Sequence, residues 1–223
     1  MNLHFKKYHW KLLLMIPAVL LLSFVPAKYA ADFKKEKKKI ESLAIISPMV
    51  HVVANDNMAK QTNEWLSILN QHLFDSITCS LLSKKYNLEK VSLPDVDIHY
   101  FTEVFAQLER SPKILDEISI GQLFSKENLG CKSRYALLLV YNGQYHPDFA
   151  PHFKRNSFML NNVIAITPGN PTQAISDLSL MIIDTESAEV VFYDRAGPSA
   201  NDARLPAEME QITRNILRKI YYK

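Results

Sequence analysis

Four carboxylate side chains lie close together in the stretch LMIIDTESAEVVFYDR, residues 180–195. They are Asp184, Glu186, Glu189 and Asp194. Two carboxyl groups held near each other could serve as general acid and general base. The same stretch also has two apolar runs of β-forming residues separated by polar ones, which is the pattern of a β-hairpin. Asp and Ser favour turns because their side chains bond the local backbone. We therefore expect Asp184 to shape a turn, and we assign no catalytic residue.

A loop rich in aromatic residues and histidines, HPDFAPHFKRNSF, offers a candidate metal site. It holds His146, Asp148 and His152, and imidazole and carboxylate groups are ligands for zinc and other divalent ions. The alternative is a surface loop in which Pro147 and Pro151 set the turns. No helix fixes the spacing of the three ligands, so the sequence predicts no bound cofactor and retains the metal site only as the alternative.

The two cysteines, Cys79 and Cys131, differ in their sequence settings. Cys79 lies inside an apolar helical pattern, whereas Cys131 follows a glycine and precedes a predicted strand. An even number of cysteines in an oxidising compartment permits a disulfide. Two separate reduced thiols are the alternative.

Glycine spacing argues against several common enzyme classes. The chain has five glycines, and no two of them lie closer than nine residues. Dinucleotide-binding loops, phosphate-binding loops and the nucleophile elbow of hydrolases all need closely spaced glycines, because their backbone must approach a phosphate or make a strained turn. The sequence signatures of these classes are absent.

Composition indicates a folded domain without a basic surface for nucleic acid. The chain has 223 residues, of which 48% are hydrophobic, and a formal net charge of +3. Residues 1–30 hold four lysines and no acid, so the rest of the chain has 22 basic and 23 acidic residues. The basic character therefore comes from the N-terminal segment, and we expect no nucleic-acid partner.

The N-terminus has the pattern of a secretory signal peptide within residues 1–30. A basic segment, MNLHFKKYHWK, precedes the apolar run Leu12–Ala27, and Val25-Pro26-Ala27 satisfies the small-x-small rule for cleavage. This predicts a periplasmic or secreted protein. The alternative is an uncleaved membrane anchor formed by residues 12–27, although a spanning helix usually needs about 20 apolar residues. Contact with a membrane is expected only through this segment, if it stays uncleaved.

The remaining chain is predicted to form one domain. Residues 31–41, ADFKKEKKKIE, are expected to be a basic linker or the first turns of a charged helix. Residues 42–223 show no internal repeat and are assigned to a single α/β domain. Its predicted element order is β-α-β-α-α-β-β-β-β-α, which implies a single mixed sheet of about five strands with helices packed on it.

Individual elements follow from hydrophobic periodicity. Continuous apolar runs predict buried strands at 42–53 and 135–145, and NNVIAITP at 161–168 reads as a further strand. A third helix is expected from Pro112 to Gly130, and a terminal helix from Arg204. Apolar spacing of three and four predicts the inner face of the first long helix to be Trp65, Leu66, Leu69, Leu73, Ile77 and Leu81.

These elements resemble the small α/β domain of bacterial envelope proteins. That family includes the amino-terminal domain of TolB, the curli-secretion channel protein and related lipoproteins. The residues that carry the resemblance are LAIISPM, LGCKSRYALLLVYNGQY and the hairpin LMIIDTESAEVVFYD followed by a terminal helix. The chain departs from the family by lacking a lipoprotein cysteine and by having Ser133-Arg134 where Ala-Asp is usual. The resemblance implies a non-catalytic role in assembly or interaction, with no family active site to carry over.

The sequence thus predicts an exported envelope protein of assembly or interaction type whose partners are other envelope proteins. The alternative, from a different class, is a secreted hydrolase or metal-dependent enzyme that uses the loop with His146, Asp148 and His152.

Overall fold

The computed structural model describes residues 27–56, 60–93, 100–112, 114–115, 118–148 and 174–221. The strands in this part of the chain are β1 (Lys28–Ala30), β2 (Ser42–Ile46), β3 (Met49–Asn55), β4 (Lys60–Thr62), β5 (Asn87–Val91), β6 (Ile114–Leu115), β7 (Tyr135–Tyr145), β8 (Ala174–Asp184) and β9 (Glu189–Ser199). The helices are α1 (Ala31–Glu36), α2 (Glu64–Leu82), α3 (Phe101–Arg110), α4 (Lys126–Leu129) and α5 (Pro206–Tyr221).

All described strands belong to one mixed sheet whose main path is β4-β3-β7-β8-β9-β1-β6. The strands β7, β8 and β9 are antiparallel neighbours, and each has eleven residues. On its other side, β7 pairs in parallel with β2 and β3. The predicted mixed α/β fold and the predicted hairpin at 180–195 are therefore confirmed.

The predicted number of about five strands is too low, since the described residues already form a sheet of nine strands. One reason is the apolar run at 42–53, which was predicted as one strand and is divided into β2 and β3 by Ser47-Pro48. Proline lacks the N–H group that a continuous ladder needs. After this break the partner of each residue on β7 shifts by one position, since Ala44 faces Ala136 whereas Met49 faces Val140.

The sheet is covered by apolar side chains on both faces. One core contains the inner sides of α2 and α5 and the odd-numbered residues Leu137, Leu139 and Tyr141 of β7. The other core contains α3 and the even-numbered residues Ala136, Leu138 and Val140. Successive side chains of a strand point to opposite faces. A continuous apolar run such as β7 is thus explained by burial on both faces.

The helix expected from Pro112 to Gly130 is the second error. Only its last part is helical, as a 3-10 helix at Gln122–Phe124 followed by α4, and Ile114 and Leu115 form β6 by pairing in parallel with Tyr29 and Ala30. Gly121 has φ of +90°, which a right-handed helix does not allow. The apolar residues of this segment alternate, with Ile118 and Ile120 buried and Ser119 exposed between them, which is an extended pattern.

The long helix α2 forms as expected, but its buried face is rotated from the predicted one. Asn63 caps its N-terminus by accepting a hydrogen bond from Leu66 N at 3.0 Å. The buried residues include Leu66, Phe74 and Leu82, whereas Trp65 is 69% exposed and Leu69 is also exposed. An apolar pattern that is wide around the helix does not fix which part of it faces the sheet.

The terminal helix α5 forms as predicted, and Met209, Ile212 and Ile216 are its buried face. The predicted signal peptide lies almost wholly outside the described residues, as does the predicted strand at 161–168. Within the described ranges, no helix combines the length and apolar character required to cross a membrane.

The sheet includes residues that precede the predicted domain start at Ser42. Strand β1 lies between β6 and β9, and α1 occupies the first half of the expected linker at 31–41. Lys28 is buried, and its ammonium group donates hydrogen bonds to the carbonyls of Leu108, Glu109 and Ser111 at the end of α3. The negative end of a helix dipole favours such a cation.

Replacing Lys28 should show that β1 is part of the domain. We expect Lys28→Met to lower the free energy of unfolding by about 1.5–3 kcal/mol, because a charged donor to three carbonyls is lost while the aliphatic stem is kept. Denaturant unfolding measures this, with the exposed Lys39→Met as the control. Equal stability of the two variants would contradict this assignment of β1.

Candidate functional site

The turn of the β8–β9 hairpin is built by the first acid of the stretch. Asp184 Oδ1 accepts a hydrogen bond from Glu186 N at 3.0 Å, which is the bond of an Asx turn. Thr185 is buried, and its hydroxyl donates to the carbonyl of Arg134 at 2.9 Å. Ala188 completes the turn with φ of +56°. The carboxylate of Asp184 is thus a structural acceptor.

Arg134 joins the acids of this turn to those of α1. Its guanidinium lies 2.9 Å from Asp184 Oδ2, 3.5 Å from Glu36 Oε2 and 3.5 Å from Glu186 Oε2. The hydrogen bond to Asp184 raises the pKa of Arg134. Tyr135 stacks below the guanidinium at 5.1 Å and donates its hydroxyl proton to Glu36 Oε2 at 2.9 Å. Three elements far apart in sequence therefore meet at one cation.

An open cleft of about 750 Å³ lies beside this ionic cluster. Its volume is within the range of about 300–1,000 Å³ typical of binding pockets. Apolar side chains from α1, β6 and β9 form part of its wall, and acidic side chains with Arg134 form the remainder. The apolar residues are Phe33, Ile114, Leu115, Val190 and Val191, and the charged ones are Asp32, Glu36, Arg134, Asp184 and Glu189.

Asp194, the fourth acid of the stretch, lies elsewhere. It is almost fully buried and accepts a hydrogen bond from Lys219 of α5 at 2.8 Å. Burial raises the pKa of Asp194 above its ordinary value, and the bond from Lys219 acts in the opposite direction. The structure thus brings Asp184, Glu186 and Glu189 to one end of the hairpin and separates Asp194 from them.

The candidate metal loop is described only as far as Asp148. The ring of His146 is buried, and its Nδ1 accepts a hydrogen bond from Asp148 N at 3.3 Å. The Asp148 carboxylate is exposed and lies 3.9 Å from the same nitrogen. His152 lies outside the described residues. Among the residues that are described, no group of three or more metal-binding side chains converges.

Both cysteines are free thiols. Cys131 is buried in the core on the α3 side of the sheet, whereas Cys79 lies on α2, which packs on the opposite side. The structure therefore shows the two separate thiols that were the alternative to a disulfide. Burial raises the pKa of each thiol, which favours the protonated, less reactive form.

Sequence reasoning missed most of the cleft. Glu36 is embedded in the basic stretch KKEKKK and is separated from Arg134 by 98 positions, and only the folded chain brings them together. Ile114 and Leu115 were expected in a helix. The alternation of Ile118, Ser119 and Ile120 was the available sign that this region is extended.

The structural role of Asp184 can be separated from that of its neighbour Glu186. We expect Asp184→Ala to lower the free energy of unfolding by about 1.5–3 kcal/mol, because it removes the acceptor of both the turn amide and a guanidinium. Glu186→Ala should change it by less than about 0.5 kcal/mol, since that side chain is exposed. Chemical denaturation of both variants measures the difference, and a larger effect of Glu186→Ala would contradict the assignment.

Asp194 should give the protein a measurable pH dependence. Because its folded-state pKa is raised, its contribution to stability is present below the pKa of the unfolded chain and is lost as the pH rises through the folded-state pKa. The side chain in Asp194→Asn has no charge at any pH, so this variant does not lose stability in this way as the pH rises. We expect its stability relative to the wild type to increase from pH 3 to pH 7. Thermal unfolding across this range tests the sign, with the exposed Asp32→Asn as a control for the lost charge.

Comparison with known proteins gives only distant structural similarity. No protein-family model matches the chain, and no curated protein matches it. Two structures of a PelC dodecamer from Paraburkholderia phytofirmans align with TM-scores of 0.36 and 0.35 at 10% identity, covering 82% and 83% of this chain and 90% of PelC. A neuraminyllactose-binding hemagglutinin homologue from Helicobacter pylori aligns with a TM-score of 0.37 at 11% identity, covering 82% of each chain. These similarities are too weak to assign a family.

Proposed function

We propose that this chain is an exported bacterial envelope protein that acts by binding other envelope components and not by catalysis. The basic and apolar leader supports export, with the mature protein in the periplasm or outside the cell. The resemblance of its strand and hairpin patterns to small envelope domains supports the same role.

The observation that carries the binding role is the cleft beside the hairpin turn. Most of its apolar lining residues are buried, and Ile114 at the edge strand β6 is 59% exposed and presents an apolar side chain to a partner. Burying such side chains against a partner would contribute about 25 cal/mol per Å² of apolar surface. A concave site that combines apolar wall with a few fixed polar groups is the usual form of a recognition site.

The ionic groups of the cleft favour the binding of a basic segment. Arg134 holds the carboxylates of Asp184 and Glu36 in place by direct contact, so the charged rim is already ordered before a partner arrives. The lining has four carboxylates and one guanidinium, and Lys35 pairs with the lining residue Asp32 at 3.3 Å, which still leaves the cleft with an excess of negative charge. An envelope protein segment with an apolar side chain flanked by Lys or Arg complements this surface.

Export is tested by fractionation together with sequencing of the mature N-terminus. We expect the protein in the periplasmic or secreted fraction, with an N-terminus that follows Ala27. A protein that remains intact in the membrane fraction would support the anchor formed by residues 12–27, and one found only in the cytosol would exclude the proposal.

Binding through the cleft is tested by affinity capture from envelope extract with two matched variants. Ile114→Asp places a charge on the cleft wall, whereas Leu123→Asp changes an exposed apolar residue that does not line the cleft. We expect Ile114→Asp to reduce the recovery of a captured partner by about tenfold, the effect of losing a central contact of about 1.4 kcal/mol. Leu123→Asp should leave recovery unchanged. Equal recovery with both variants would show that the partner binds elsewhere.

A further inference from the structure

A second, smaller cavity lies beside the segment that follows α1 and shares Phe33 with the lining of the cleft. Its volume is about 90 Å³, and it opens between the segment after α1, the turn after α2 and the end of α5. The sheet forms its floor through Leu43, Ile182 and Phe192. Tyr29 and Phe192 meet edge to face there, with ring centres 4.9 Å apart. The inner surface is therefore apolar and partly aromatic.

Lysine side chains surround the mouth of this cavity, namely Lys37, Lys38, Lys85 and Lys219. Two of them have acceptors in the protein, since Lys219 donates to Asp194 and Lys85 donates to the carbonyl of Ile220 at 2.9 Å. Lys37 lies over the ring of Tyr29 at 5.0 Å. Among the described residues, no carboxylate lies within ion-pair distance of Lys37 or Lys38. The mouth thus has positive charge that the described protein groups do not balance.

Burial and neighbouring positive charges change the pKa of two of these lysines. Burial lowers the pKa of Lys37, and the positive charges of Lys85, Lys34 and Lys38 lower it further. Burial also lowers the pKa of Lys85. An anion placed among these ammonium groups would relieve their repulsion and accept their hydrogen bonds.

The size of the cavity limits the apolar part of such a ligand. A volume of about 90 Å³ is below the 300–1,000 Å³ of pockets that enclose whole drug-sized ligands. It is also smaller than an engineered cavity of about 150 Å³ that holds benzene. A few carbons of an unbranched alkyl chain match this space better than a ring does.

We propose that this cavity binds an anionic amphiphile. The end of its alkyl chain enters between Phe192 and Ile220, and its charged group lies among Lys37, Lys38 and Lys85. The ligand class is that of alkyl carboxylates, sulfates and phosphates in monomeric form. The site shares only Phe33 with the lining of the cleft, and the lysines and the apolar floor on which it depends lie outside the cleft, so it stands or falls independently of the partner binding proposed above.

Calorimetric titration of the protein, expressed with its own leader and purified after processing, tests this proposal with three probes. Octanoate has both the alkyl chain and the anion, octyl glucoside has the chain with a neutral head, and acetate has the anion alone. We expect octanoate to bind once per chain with a dissociation constant below about 1 mM, and the other two probes to bind at least about tenfold more weakly.

Two pairs of substitutions separate the cavity from the general basic character of this segment. Lys37→Gln with Lys38→Gln should weaken octanoate binding by about tenfold, because two charged contacts are lost. Lys35→Gln with Lys39→Gln removes the same charge from exposed lysines of the same segment that do not line the cavity, and should change binding by less than about twofold. Ile40→Phe tests the apolar part, since the larger side chain fills the cavity and should abolish binding while thermal unfolding confirms that the variant is folded.

Several outcomes would overturn the proposal. Absence of octanoate binding excludes the site, and equal binding of octyl glucoside excludes the role of the charge. Equal weakening in the two lysine pairs would show non-specific attraction to a basic segment. Binding to phosphatidylglycerol vesicles without binding of monomeric octanoate would show that the lysines contact a membrane surface and that the cavity holds no ligand.

Discussion

Burial of β7 on both faces is the constraint on which the remainder of the structure depends. Its first seven residues are all buried, and the five from Ala136 to Val140 are aliphatic without interruption. Such a strand needs a neighbour on each edge and a layer on each face. The neighbours are β8 on one edge and β2 with β3 on the other. The layers are α2 and α5 on one face and α3 with the extended segment at 118–120 on the other.

The register of this strand also determines where the cleft forms. Tyr135 faces Asp184 across the β7–β8 ladder, so Arg134 emerges directly beside the hairpin turn. The turn then bonds back to the start of β7, as Thr185 N donates to the carbonyl of Arg134 at 2.8 Å. A shift of the register by one residue would turn each of these side chains to the other face of the sheet. The guanidinium of Arg134 would then be separated from Asp184. The ionic cluster is therefore a consequence of the sheet and depends on its pairing.

Local pattern was enough to predict the elements that are long and buried. The strand β7 was predicted from a continuous apolar run, the hairpin of β8 and β9 from two apolar runs separated by polar residues, and the helix α5 from apolar residues spaced by three and four. The strands β1 and β6 have three and two residues, and neither has a period that can be recognised. Their pairing joins Tyr29 to Ile114 across more than eighty positions, so only the folded chain defines them. The cleft shares this limitation, since Glu36 and Ile114 reach it only through the same long-range pairing.

The segment KKEKKK shows that the fold can separate charged side chains that are adjacent in sequence. Its composition suggests one uniformly charged linker, yet α1 and the residues after it divide the charges between two sides. Asp32 and Glu36 line the cleft, whereas Lys37 and Lys38 line the mouth of the small cavity. Phe33 contributes to both, because its ring packs against Tyr135 on one side and Phe192 on the other, with ring centres 5.4 and 6.4 Å away. One buried aromatic side chain thus anchors a helix of six residues and turns a mixed run of charges into an acidic surface and a basic one.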